Sequence, residues 1–378
     1  LLFLRLSRSV SVASIASLLL VMDFSITANF HWLAARNSYM ATALAVFSVF
    51  FYMRWREERS LISGISAWLL YVAGLLTAEA SIALLAYLGA YALTMEKRGW
   101  RNGMLSLVPF LAVTVVWRVA YNINGYGADN IGLYADPGRG LMAFVGQLVL
   151  VFPAIVLSMM TGADELLANL NPDIRNILSL VSWLVIFALV IPVRHLLKRD
   201  NRIRFMFLGS VVAVVPFVTL MITSSRSATF SAIGFFYVLA VWLRSLWVNK
   251  GKFYWQRILA ASIAAWHLFL PMLMGLLISA HLVSVSMLED GLFKALSTGA
   301  DKDPSRPLVL INHPVPTQFF YLPYTWAFHE RPLPARINAL APGLSEFTLE
   351  RVGERQFIVS SAEGLPVNQR VSLPGANG

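Results

Sequence analysis

A few ionisable residues interrupt an otherwise apolar chain, and they fall near the ends of its apolar runs: Asp23, His31, Arg36, Glu79, Asp129, Asp136 and Arg226. Acids and arginines at such positions suit a lipid-linked anionic substrate. The lipid tail stays in the bilayer, arginines neutralise a phosphate, and a carboxylate takes the proton of an incoming hydroxyl. Asp23 and Glu79 are the candidate catalytic carboxylates. Arg36, Arg226, His31, Tyr134 and Asp136 are the candidate substrate-binding residues. Ordinary loop polarity is the competing account. It suits Asp129, Asp164, Glu165 and Asp173 well and weighs on Asp136 too, because loops are generically polar. Glu79 and Arg226 sit at tight tips between apolar runs and read better as functional. Asp23 and His31 are evenly balanced.

Other chemistries find little support. The chain has no cysteine, so thiolate chemistry and disulfides are excluded. Its six histidines form no H-x-x-x-H or H-E-x-x-H pair, which argues against zinc. No phosphate loop, G-x-G-x-x-G or G-x-S-x-G occurs, which argues against an ATP-driven pump or a serine hydrolase of the usual kind. Asp301-Lys-Asp303 is a D-x-D, a form that holds a divalent metal in some enzymes, and here it lies in a proline-containing linker. No cofactor is otherwise implied. His267 and His281 fall in the last apolar run and read as packed polar residues.

The elements that position these residues follow from composition. Of 378 residues, 57% are hydrophobic and 13% charged, and the mean hydropathy is +0.65. Such a chain is an all-α polytopic membrane bundle of about 8–10 apolar helices. Residues 61–94 are too long for one span and just long enough for two short ones. Basic segments flank them, at 54–59 and at 97–101. Basic loops stay cytoplasmic, so the chain must cross an even number of times between them. The run is therefore a helical hairpin whose outer tip is 77–81, with Thr77 capping the second helix and Glu79 in its first turn. The alternative is one long tilted helix with a buried acid.

The other expected spans are 10–27, 37–53, 104–121, 176–193, 205–224, 229–248 and 258–286. Residues 141–161 break the parity of the count and carry Pro153, so they are expected to form a re-entrant or surface-lying broken helix. The segment 122–140, rich in Gly, Asn and Asp with Tyr126 and Tyr134, is a turn-rich outer loop that could bind a polar ligand. From about Glu289 the composition changes. Short strand-like runs in 308–372 point to a small C-terminal α/β or β-rich domain on the outer side, after a linker at 297–307. The expected domains are 1–288 and 289–378. With no initiator Met, and with an opening run that lacks a signal-peptide cleavage pattern, the chain is expected to be N-terminally incomplete.

The net charge of +10 is a membrane signal and not a nucleic-acid one. In this topology 17 of the 30 Lys and Arg lie in the inner loops with only four acids, while the spans and outer loops hold five basic residues and seven acids.

Three short patterns carry a family resemblance. W-x-x-x-R runs from Trp32 to Arg36 into a span; Thr77-Ala78-Glu79 forms a hairpin tip before an apolar helix; and a pattern opening a later span runs from Arg226 to Gly234. In order, spacing and side they resemble the GT-C glycosyltransferases, polytopic enzymes that use polyprenyl- or dolichyl-phosphate sugars, and the related protein O-mannosyltransferases. The resemblance covers about residues 10–250. Asp23-Phe24 stands where that family has His-Pro, Ala28 where it has a loop Glu, Ala78 where it has Lys, and Thr229 and Ser231 where it has Tyr and Pro. The first span here resembles that family's third, so its catalytic carboxylate loop would lie upstream.

The resemblance implies transfer of a sugar from a polyprenyl-phosphate donor to a glycan, lipid or protein acceptor at the outer face of a bacterial inner membrane. Arg36 and Arg226 would bind the donor phosphate, Glu79 would orient an arginine or the acceptor, and the base would lie off this chain, with Asp23 a poor substitute for it. The rival expectations are a transporter or flippase of lipid-linked saccharide, which calls for inverted repeats, and a non-catalytic scaffold.

Overall fold

The computed structural model describes residues 1–23, 36–124, 141–161, 172–219, 229–248 and 254–300, and in the C-terminal part 305, 308–312, 323–324, 326–333, 337–341, 347–351 and 357–361. Helix dominates because a chain in hydrocarbon must satisfy its backbone polar groups within each segment. In order the helices are α1 (Leu2–Ser7), α2 (Val10–Met22), α3 (Arg36–Glu58), α4 (Leu61–Thr77), a 3-10 turn (Glu79–Ala83), α5 (Leu84–Thr94), α6 (Trp100–Leu105), α7 (Val108–Ile123), α8 (Leu141–Thr161), α9 (Pro172–Arg199), α10 (Asn201–Ala213), a second 3-10 turn (Val215–Thr219), α11 (Thr229–Val248) and α12 (Tyr254–Ala300).

Among the described residues four helices are long and apolar enough to cross a membrane: Trp100–Ile123, Asn201–Val218, Thr229–Val248 and Tyr254–Leu277. A pair bent by 45°, Asn176–Ala188 and Val190–Arg199, makes a fifth if counted as one span. Val10–Met22, Leu61–Thr77, Glu79–Thr94 and Phe144–Leu157 are shorter apolar helices. The chain is an integral membrane protein with a helical bundle. It divides into two compact units, Leu1–Ile278 and Ser279–Gly378, and the boundary falls within α12.

In the first unit α11 is central: 67% of its apolar window is buried, against 18% for Tyr254–Leu277. It packs on α10 through a reciprocal pair in which the Ser210 hydroxyl donates to the Ser231 carbonyl at 2.6 Å and the Ser231 hydroxyl to the Ser210 carbonyl at 2.8 Å. Small residues permit this approach, as in other membrane helix pairs. A Cβ on Gly234 would meet the Met206 carbonyl and lie 2.7 Å from Ser210 Cβ. The buried Tyr87 of α5 fills the space left by Gly209, donates to the Phe230 carbonyl at 2.7 Å and accepts from the Gly234 N–H at 3.0 Å.

Helix directions follow from paired residues. Trp55 lies against Gly64, and the Ser48 hydroxyl donates to the Ala67 carbonyl at 2.8 Å, so α3 and α4 are antiparallel. At the far end Gly74 meets Ser81. Tyr91 packs edge-on against Tyr52, and Glu96 pairs with Arg56 at 2.7 Å, so α5 returns toward the start of α4. The run 61–94 is thus a helical hairpin about the first 3-10 turn. Helix α7 runs beside α4 in the same direction: Trp68 donates to the Pro109 carbonyl at 3.2 Å, Tyr71 meets Thr114 at 2.7 Å, and Tyr121 reaches Glu79 at 2.7 Å.

The basic segments converge on one end of this unit. Arg5 bridges Glu57 and Glu58, each at 2.7 Å. Arg56 binds Glu96 and also donates to the Asn102 carbonyl at 3.4 Å. Arg202 donates to the Leu6 carbonyl at 3.0 Å, Arg244 to Ser9, and Arg257 to the Leu246 carbonyl at 2.8 Å. Five segments distant in sequence therefore share one end, and Glu79 lies at the other.

Two expectations need correction. Thr77 does not cap the turn after it. Its hydroxyl bonds back to the Ala73 carbonyl at 2.7 Å within α4, the usual alternative for a helical threonine, and the turn has no side-chain cap. Nor is 141–161 broken at Pro153, for α8 is continuous. Proline lacks the N–H that would bond the carbonyl four residues back, Val149. That carbonyl instead accepts from Trp183 Nε1 at 3.1 Å and Ser179 Oγ at 3.3 Å, both on α9, and Phe152 stacks on Trp183.

In the second unit β1 (Leu308–Asn312) pairs in parallel with β2 (Ile337–Ala341), Leu308 opposite Ile337. β3 (Phe347–Arg351) pairs antiparallel with β4 (Phe357–Ser361), Leu349 opposite Val359. Trp326 is fully buried.

Candidate functional site

Two ionisable pairs lie away from the basic end. The first is built on the hairpin tip. Ala78, with extended backbone at φ −157°, ends α4 and sets the chain into the 3-10 turn, which Glu79 opens. The exposed Glu79 accepts from the Tyr121 hydroxyl through Oε2 at 2.7 Å. Tyr121 packs against Trp117, one turn earlier on α7, with ring centroids 5.0 Å apart and planes tilted by 39°. The exposed Arg118 guanidinium lies 5.7 Å from the Tyr121 ring centre. Beside this group the Ser81 hydroxyl is buried with no hydrogen-bond partner among the described residues. The second 3-10 turn, Val215–Thr219, packs against the first, and its Phe217 ring lies 6.2 Å from Phe230 in the first turn of α11.

The second pair is deeper. Asp23 follows α2 directly, and its Oδ2 is 3.0 Å from His267 Nδ1 on α12. Both side chains are almost wholly buried. The imidazole meets the edge of Phe236 at 4.9 Å and of Phe235 at 6.0 Å. Phe236 is seven residues inside α11, about 10 Å from its start at 1.5 Å per residue. Pro271, four residues on, removes the N–H that would bond the His267 carbonyl.

Helix α11 separates the two pairs. Its Phe230 carbonyl and Gly234 N–H face Tyr87 and the hairpin, while Phe235 and Phe236 face His267. At about 100° per residue, Gly234 and Phe236 point to nearly opposite sides. Asp23 and Glu79 therefore lie on different sides of α11, and Glu79 is the more open of the two.

Compared with protein-family models, curated proteins and solved structures, the chain gives no match.

Of the other candidates, Arg36 is exposed at the first residue of α3. His31, Tyr134, Asp136 and Arg226 lie outside the described residues, as do Trp32, Asp129, Asp301 and Asp303. The described elements that flank Arg226 in sequence, Val215–Thr219 and the start of α11, pack at the Glu79 end. Among the described residues no three His, Asp or Glu gather to hold a metal ion. Sequence reasoning missed His267 as the partner of Asp23 and Tyr121 as the partner of Glu79. A signal existed for the second: Trp117 and Tyr121 are four residues apart, on one face of a helix ending at the hairpin side. None existed for the first, because the two residues are 244 positions apart.

Proposed function

We propose that the chain is a membrane glycosyltransferase of GT-C type, which moves a sugar from a polyprenyl-phosphate donor to an acceptor hydroxyl at the membrane face opposite its basic loops. The observation that carries this reading is the position of Glu79. It is an open carboxylate at a tight helical tip, remote from the basic end, beside the two elements that flank Arg226 in sequence. The W-x-x-x-R, hairpin-tip and Arg226 patterns occur in family order and support the same reading.

In the proposed reaction the acceptor oxygen bonds to the anomeric carbon of the donor sugar. The bond from that carbon to the phosphate oxygen breaks, and polyprenyl phosphate leaves with the electron pair. Arg36 and Arg226 stabilise the phosphate charge. Glu79 takes the acceptor's proton, with Tyr121 holding its carboxylate in place. Asp23, buried against His267, serves the fold of this region and is not the base. The basic end faces the cytoplasm by the positive-inside rule, and the membrane is a bacterial inner membrane with the C-terminal unit outside.

The test is transfer from labelled polyprenyl-phosphate sugars by the full chain in proteoliposomes. Glu79→Gln and Arg226→Ala should each lower the rate about 100-fold or more. Wild-type rates in both variants, or no transfer from any of a panel of such donors, would reject the proposal.

A further inference from the structure

The group around Glu79 has a composition that proton transfer alone does not require. Trp117 and Tyr121 form a tilted aromatic pair on one face of α7, both half-buried, with centroids 5.0 Å apart. The Tyr121 hydroxyl is committed to Glu79 Oε2, which fixes the ring against the hairpin tip. Among the described residues Glu79 makes no other hydrogen bond or ion pair, so Oε1 keeps its acceptor capacity. The Arg118 guanidinium lies over the Tyr121 ring, 5.7 Å from its centre.

From these residues we infer a saccharide-binding ledge, made by the face of Trp117 and the second oxygen of Glu79, which Tyr121 holds together through its ring contact and its hydroxyl, that seats a pyranose ring of the acceptor. A pyranose has an apolar face of C–H bonds and a rim of hydroxyl donors. Aromatic faces, which carry partial negative charge, take the C–H face. A carboxylate oxygen takes the hydroxyls, and a charged acceptor makes those bonds about twice as strong as neutral ones. The acceptor hydroxyl that reacts would be one of those on the rim at Glu79.

Interfacial tryptophans and tyrosines also anchor membrane proteins through polar tips that reach the headgroups. One feature favours a saccharide: the tyrosine tip is turned to a carboxylate, whose second oxygen can accept from sugar hydroxyls. That the saccharide is the acceptor rests on the glycosyl-transfer reading; the binding of a pyranose does not.

The experiment uses the full chain in zwitterionic lipid nanodiscs, free of glycoside detergent, titrated with a panel of soluble mono- and disaccharides by calorimetry and saturation-transfer NMR. At least one pyranoside should bind, with its C–H face saturated most strongly. Trp117→Ala should weaken that binding about tenfold, while Trp117→Phe keeps most of it. No binding by any pyranoside, or equal binding by Trp117→Ala, would overturn the ledge. So would a Trp117→Ala variant that changes only the depth of the α7 end in the bilayer, read by lipid-borne quenchers. Transfer from the polyprenyl donor is measured in parallel. Wild-type transfer without saccharide binding rejects the ledge alone, and saccharide binding without transfer rejects the reaction alone.

Discussion

Replacing His267 by Phe keeps an aromatic ring against Phe235 and Phe236 and removes the donor that faces Asp23. The lost bond is the smaller part of the effect, since hydrogen bonds inside membrane proteins average about 0.6 kcal/mol and reach about 1.7. The larger part is the carboxylate left behind. The Asp23 side chain is only 2% exposed, and depriving a buried polar group of a hydrogen-bond partner costs about 1–3 kcal/mol, more for a charged group. His267→Phe should therefore destabilise the bundle by about 2–4 kcal/mol. Asp23→Leu removes the carboxylate and leaves an imidazole, whose neutral form is cheaper to bury, so its cost should be about 1–2 kcal/mol. In Asp23→Leu/His267→Phe neither member of the pair is left facing the gap of the other, so the double variant should be less unstable than the sum of the singles. Reversible unfolding in mixed micelles, monitored by circular dichroism across the four proteins, gives the coupling directly. A double variant as unstable as the sum of the singles would refute the reasoning. A His267→Phe variant that loses less than about 1 kcal/mol would refute it too.

The same packing leads to other outcomes. Ser179→Ala and Trp183→Phe together strip the Val149 carbonyl of both donors; the pair should cost about 1–3 kcal/mol and bend α8 at Pro153, which spin-label distances between residues 145 and 160 would read. Gly234→Val drives a side chain into the Met206 carbonyl and Ser210, so it should separate α10 from α11 and cost about 1–3 kcal/mol or more in the same unfolding assay. At the basic end the Arg5 guanidinium first, and Arg54 second, hold the exposed Glu58 carboxyl below its usual 4.5. A lowered carboxyl contributes stability above its unfolded value and loses it as pH falls through the folded one. Stability should thus fall on acidification below that value, and less steeply in Arg5→Ala/Arg54→Ala; identical acid profiles would refute this.

The gathering of the basic segments at one end was legible in the sequence because it is written in composition. Arg5, Arg56, Arg202, Arg244 and Arg257 were sorted to one side by the charge rule alone, and their bonds bring those segments to a common end. The hairpin over 61–94 was legible for the same reason, because its length and its two basic flanks leave no other parity. The strand-like runs expected at 307–314, 346–352 and 356–361 are marked by β-branched and aromatic residues, and each contains a strand; Ile337–Ala341 lacks that richness and was missed. Pairings across the bundle were not legible. Nothing in the spacing of Asp23 and His267, or of Tyr87 and Gly234, shows that the packed helices bring them together.

The prolines show most sharply what a sequence withholds. Each of Pro153, Pro192 and Pro271 deletes one rung of a helical ladder and frees a carbonyl four residues earlier, at Val149, Ala188 and His267. The residue type is the same each time, yet a break was expected from sequence only at Pro153. The outcome depends on which donor reaches the freed oxygen. At Val149 two donors from α9 replace the missing N–H, and α8 runs on. At Ala188 no such bond forms among the described residues, and α9 bends by 45° between Ala188 and Val190. At His267 the interrupted rung belongs to the residue whose ring meets Asp23. A helix already short of one backbone bond yields there at less cost than elsewhere. The Asp23 contact therefore braces α12 at the turn that Pro271 interrupts, which is why losing it should be felt beyond the two side chains.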